Sequence, residues 1–120
     1  MQDPKRITQA LLDVLELLVE ATREGCELHG WALMKSTHRS GPTVYGVLDR
    51  LEDAGWITGS FEQHNPEPGR PPRRFYRLTG EGATRAERLL ASRRSRVPGT
   101  VRRVGLAQIV LRAVFLGGAQ

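Results

Sequence analysis

Cysteine is nearly absent from this chain. Cys26 is the single one in 120 residues, so no intramolecular disulfide can form and no cysteine-based metal site can be completed. The three histidines, His29, His38 and His64, lack the spacing of metal ligands. No metal or other cofactor is expected. Cys26 reads as a small hydrophobe near a helix end, with a redox-sensing thiol as the sharper alternative. Long apolar runs are missing too. The longest, 104–116, is interrupted by Gln108 and Arg112 and falls short of the ~20 residues a membrane helix needs. Residues 1–6 are polar and the first apolar run is amphipathic, so no signal peptide is expected and a soluble, cytoplasmic protein is. Catalytic motifs are absent: no glycine-rich phosphate loop joined to Lys-Ser/Thr, no nucleophile elbow, no HExxH. Glu52 and Asp53 are adjacent, so on a helix they point to different sides. A protein that is not an enzyme is expected.

Lysine is scarce, only Lys5 and Lys35, yet arginine is abundant and unevenly placed. Residues 1–60 hold six Lys/Arg against nine Asp/Glu, net −3, whereas residues 61–120 hold twelve against four, net +8. A GC-rich genome would account for the arginine count but not for its clustering. Arginine's planar, permanently charged fork suits phosphate.

The apolar spacing predicts a first helix over 8–24, capped by Thr8 and stopped by Gly25. Ile7, Leu11, Val14, Leu15 and Leu18 form its buried stripe, while Leu12, Leu17 and Val19 lie off it and hint at a partner subunit. A second helix is predicted over 28–37, where Gly30 permits close backbone approach. Residues 38–42 form a turn, with Ser40 as cap and Pro42 in the first turn of a third helix over 42–54. Val44, Val47, Leu48 and Leu51 face inward along that helix.

Two strands follow, 56–61 and 74–78, separated by a proline- and arginine-rich tip over 64–73 that cannot form a ladder. Gly59 suggests a bulge in the first strand. Of Phe75 and Tyr76, one is expected in the core and the other nearer the surface. Thr79 caps a fourth helix over 81–94. A fifth is predicted over 100–116, with Val104, Ala107, Leu111 and Val114 as a 3-4-3 seam and Phe115 beside it.

This order is that of a winged helix: α+β, mainly helical with a small β-hairpin. The expected organisation is a winged helix-turn-helix domain over 1–92 and a linker with a C-terminal dimerisation helix over 93–120. Helix 42–54 would enter the major groove, and the arginine-rich wing over 64–74 would meet flanking backbone or the minor groove. The candidate DNA-binding residues are Lys35, Arg39, Ser40, Thr43, Tyr45, Asp49, Arg50, Arg70, Arg73 and Arg74. Base reading would rest on Thr43, Tyr45, Asp49 and Arg50, with Tyr45 able to pack its ring while its hydroxyl bonds a phosphate. Arg50 has a second reading, as an ion-pair partner of Glu52, Asp53 or an acid of the first helix. Leu12, Val19, Val104, Ala107, Leu111, Val114 and Phe115 are the candidate dimer interface. Trp31 and Trp56 read first as core residues, with an effector contact as the alternative.

Three stretches resemble the PadR family of transcriptional regulators. Leu28-His29-Gly30-Trp31-Ala32-Leu33 is similar to the opening of the family's second helix. Residues 41–57, GPTVYGVLDRLEDAGWI, resemble its recognition helix and first wing strand, and residues 69–82, GRPPRRFYRLTGEG, its basic wing and return strand. Gly46 stands where the family commonly has proline, the wing is unusually proline-rich, and the C-terminal region is short and apolar. The resemblance implies a homodimeric repressor on a pseudo-palindromic operator. It also implies room for a small hydrophobic or aromatic effector, since some family members stack flat ligands on aromatics at the dimer interface. The rival reading is a winged-helix adaptor, or a heterodimerising modulator of another regulator, that binds protein and not DNA.

Overall fold

The computed structural model describes residues 3–62, 69, 71–96 and 111–113. Among these residues four helices and a small antiparallel sheet surround one core, in the order α1 (Gln9–Arg23), β1 (Cys26–His29), α2 (Gly30–Thr37), α3 (Gly41–Asp53), β2 (Ile57–Phe61), β3 (Arg74–Leu78), α4 (Gly80–Arg96) and β4 (Leu111–Ala113). Strand order in the sheet is β2-β3-β1-β4. This is the α+β winged helix-turn-helix expected from the sequence.

α1 is the centre of the core. Thr8 caps it, its hydroxyl accepting a hydrogen bond from the Leu11 N–H at 3.1 Å. The Leu11, Val14, Leu15 and Leu18 stripe is buried as the spacing predicts. Ile7 is exposed instead, because it precedes the cap and lies outside the helix. Leu17 and Val19 are also buried, within the protomer, where α1 packs against the other three helices and the sheet. Their apolar character is therefore accounted for without a partner subunit. Leu12 is partly buried against the same core.

Strand β1 is absent from the sequence reading, which starts the second helix at Leu28. His29 sets the boundary: its Nδ1 accepts a hydrogen bond from the Ala32 N–H at 3.3 Å, so the helix begins after it. Leu28 and His29 pair with Tyr76 and Phe75 of β3. Both β3 aromatics are buried, against the expectation that one would be near the surface. Tyr76 joins the main core, while Phe75 meets the His29 ring edge-on at 5.3 Å on the other face of the sheet. β2 pairs with β3 in continuous register from Ile57–Leu78 to Phe61–Arg74, so Gly59 forms no bulge.

The expected C-terminal helix is corrected at Leu111–Ala113, which is extended and pairs antiparallel with Cys26–Leu28. The physical reason is the outer edge of β1, whose free backbone groups the backbone of Leu111–Ala113 satisfies. Leu111 is thus a sheet residue, and the seam it was assigned to is broken there. Val104, Ala107, Val114 and Phe115 lie outside the described residues. α4 runs through 96, so the domain boundary expected at 92 falls inside a helix.

A compact polar knot joins α3, the hairpin and α4. The Thr79 hydroxyl lies 3.0 Å from the Gly55 carbonyl and 3.3 Å from that of Trp56, and accepts from the Gly82 N–H at 2.9 Å. The Thr79 N–H donates to the Trp56 carbonyl at 2.9 Å. Gly82 presses against that carbonyl so closely that a Cβ there would overlap the Trp56 backbone. Backbone, unlike a side-chain tip, cannot swing aside. Gly82→Ala is therefore expected to destabilise the fold by about 2–3 kcal/mol in denaturant unfolding, as forced overpacking does; an unchanged midpoint would contradict this packing.

Candidate nucleic-acid interface

α2, the turn at 38–40 and α3 form the helix-turn-helix. His38 takes the left-handed conformation, φ +57°, and its N–H closes α2 onto the Met34 carbonyl. Ser40 caps α3, accepting from the Thr43 N–H at 3.4 Å and lying 3.1 Å from the Thr43 hydroxyl. Pro42 sits in the first turn. With Val44, Val47, Leu48 and Leu51 buried, α3 shows solvent Pro42, Thr43, Tyr45, Asp49 and Asp53. Ser40, Thr43, Tyr45 and Asp49 are each exposed, with Tyr45 and Asp49 one turn apart on the same face of α3.

Tyr45 is 43% exposed, and its ring lies across Gly30, the first residue of α2. A Cβ at position 30 would stand where the tyrosine ring is. Gly30 thus admits a side chain of α3, where the sequence suggested another backbone.

Trp31 departs from the expectation of a core residue. It is 47% exposed, stacked near-parallel to His29 at 6.0 Å, with the Lys35 ammonium 4.6 Å from its ring centroid. Trp56 is core, 2% exposed. The two tryptophans therefore do not form one site, and Trp56 offers no surface to an effector.

The candidate cations divide into two groups. Arg39 is held through Nη2 by Asp13 of α1 at 2.8 Å, which ties the turn to the core helix. Arg74 is held through Nη2 by Glu52 of α3. Lys35, Arg50 and Arg73 make no ion pair with the described acids, so Arg50 pairs with neither Glu52, Asp53 nor an acid of α1. Arg73 ends the hairpin ladder, its N–H donating to a Glu62 carboxylate oxygen at 3.1 Å and its carbonyl accepting from the Glu62 N–H at 2.8 Å. Arg70 lies outside the described residues.

Three contributors escaped the sequence reading. Glu52 looked like one acid among several, Asp13 is 26 residues from Arg39, and Gly59 looked like a bulge. Burial raises the Tyr76 phenol above its usual range near 10, the Arg74 charge opposing this in part and Tyr45, Glu52 and Asp49 adding to it. The phenol therefore stays neutral where α3 meets the wing. Among the described residues no group of three or more His, Cys, Asp or Glu is placed to hold a metal, and no helix is long and apolar enough to cross a membrane.

A family profile described as "Transcriptional regulator PadR-like family" matches residues 14–88. A search of curated proteins gives no match. Among solved structures, the chain is similar to MepR of Staphylococcus aureus in a DNA complex, with 23% identity, TM-score 0.61, and coverage of 75% of this chain and 60% of that one. It is also similar to a probable transcriptional regulator from Pseudomonas aeruginosa, with 27% identity, TM-score 0.57, and coverage of 74% and 60%. The circadian clock associated protein Pex from Anabaena gives 24% identity, TM-score 0.55, and coverage of 73% and 76%. The chain spans about six-tenths of the length of the MepR chains it matches.

The Gly30–Tyr45 contact generates one prediction. In Gly30→Ala the tyrosine ring must leave its seat, while alanine's better helix propensity offsets part of the loss. Stability is expected to change by no more than about 1 kcal/mol. Nuclear Overhauser contacts between the Tyr45 ring and residue 30 should disappear; their persistence would contradict the packing.

Proposed function

Because the chain belongs to the PadR-like family of transcriptional regulators, matched over residues 14–88, we propose that it acts as a dimeric repressor. Two copies of α3 would enter successive major-groove segments of a pseudo-palindromic operator. The observation that carries this reading is the surface of α3. Its apolar side is fully used in the core, which leaves Ser40, Thr43, Tyr45 and Asp49 exposed to solvent, and Lys35 on α2 is exposed as well.

The chemistry suits a duplex. The start of α3 offers the positive end of the helix dipole with the Ser40 and Thr43 hydroxyls beside it, a setting that favours phosphate. Asp49 can accept from a cytosine amino group, and Thr43 can contact a base edge or a thymine methyl. Lys35, Arg50, Arg73 and Arg70 are the cations proposed for the backbone. About four phosphate contacts per protomer give about eight per dimer and a log–log salt slope near −7. Release by a small hydrophobic or aromatic effector belongs to the same proposal, with Trp31 as its accessible contact. So does a cytoplasmic location, where the DNA is.

The test is a mobility shift on the DNA upstream of its own gene at two salt concentrations, with sedimentation to establish the dimer. A salt-sensitive shift by a dimer is expected. No shift, with a stable protein complex in a pull-down, would favour the adaptor reading. Tyr45→Phe should cost about 1 kcal/mol of DNA affinity if its hydroxyl bonds a phosphate; no loss would make Tyr45 a packing residue. Arg73→Ala should flatten the salt slope by about 1.8 for the dimer while weakening binding to all sequences alike.

A further inference from the structure

Among the described residues, Arg74 is the cation whose surroundings are most completely built. It opens β3, and the pleat puts its side chain on the face shared with Tyr76 and Leu78, the face that packs toward α3. Arg73 and Arg77 point the other way. Its guanidinium carbon lies 5.4 Å from the centre of the Phe61 ring and 5.6 Å from that of Tyr76. Its Nη2 is bonded to Glu52, and its Nε is shielded from solvent. On the facing strand the side chain crosses Gly59 so closely that a Cβ there would overlap Nε. Carboxylate, two rings and a missing Cβ therefore define a seat for one planar cation between wing and recognition helix.

We propose that Arg74 is a positioning residue that fixes the angle of the wing to α3, and that it is not one of the phosphate contacts. A phosphate-binding arginine needs its fork directed outward. This one commits its Nη2 to Glu52 and its flat face to Phe61 and Tyr76. Lysine carries the same charge but cannot span the carboxylate and cover both rings. The assignment rests on the DNA-binding reading above and divides its arginines: Arg73 contacts the backbone, whereas Arg74 holds the hairpin that presents Arg73.

The experiment measures operator affinity by fluorescence anisotropy across a salt series for Arg74→Ala, Arg74→Lys, Glu52→Ala and the double variant Arg74→Ala/Glu52→Ala. Asp53→Ala serves as a control that removes an equal charge one position along. Arg74→Ala should lose roughly five- to tenfold in affinity, and Arg74→Lys should not restore it. Glu52→Ala should bind more weakly than the Asp53→Ala control. The double variant should be no worse than Arg74→Ala alone, and all slopes should equal that of the unaltered protein. A phosphate contact would behave in the opposite way: the slope would fall by about 1.8 in Arg74→Ala, and Glu52→Ala, freeing the fork, would bind more tightly. That result overturns the proposal. Amide exchange on the free protein gives a second readout. The Glu62 N–H should exchange faster in Arg74→Ala and Glu52→Ala than in the unaltered chain or Asp53→Ala; equal rates would overturn the proposal. If the unaltered protein binds no duplex, the DNA reading fails, and the exchange rates still decide whether Arg74 holds the wing.

Discussion

The junction at Trp56 is the constraint on which the rest of the fold depends. Helix α3 ends there, with the Trp56 N–H donating to the Leu51 carbonyl at 2.9 Å. The wing begins there, and α4 starts from a threonine whose hydroxyl and N–H both meet this turn. The indole fills the core beneath. A winged helix works only if hairpin and helix keep a fixed relation, and at this junction backbone carbonyls and one hydroxyl hold its near end. Partly buried hydrogen bonds of this kind contribute modestly when made and cost more when a partner is removed.

This also explains what the motif Leu78-Thr79-Gly80-Glu81-Gly82 does. Sequence alone shows a cap and a first-turn acid. Its tightest requirement is elsewhere, at Gly82, which stands against the backbone of a residue 26 positions earlier. Residues that mark a regulator family in the sequence are here largely architectural, and the exposed side chains of α3 are free to differ.

Long periodic elements were legible in the sequence. The α1 stripe, the inner face of α3 and both hairpin strands lie where spacing places them, because burial imposes a period of 3.6 or 2 over enough residues to be seen. Short or relational features were not. β1 is four residues long, too brief for alternation to register, and its last residue doubles as a helix cap. The apolar excess of α1 suggested a second subunit because sequence cannot distinguish a central helix from an interfacial one. Leu111 followed a helical seam in sequence but answers to the open edge of β1. Most of the candidate interface was visible as residue types. Which arginines were already engaged was not, since the pairs Arg39–Asp13 and Arg74–Glu52 span 26 and 22 residues.

The seat of Tyr45 on Gly30 links two helices that sequence reading treats separately. A residue on α2 fixes the posture of a side chain on α3 solely by having no Cβ. Positions 30 and 45 are therefore sterically coupled. A side chain added at the first must displace or redirect the second, so the shape of the exposed α3 surface is set in part from α2.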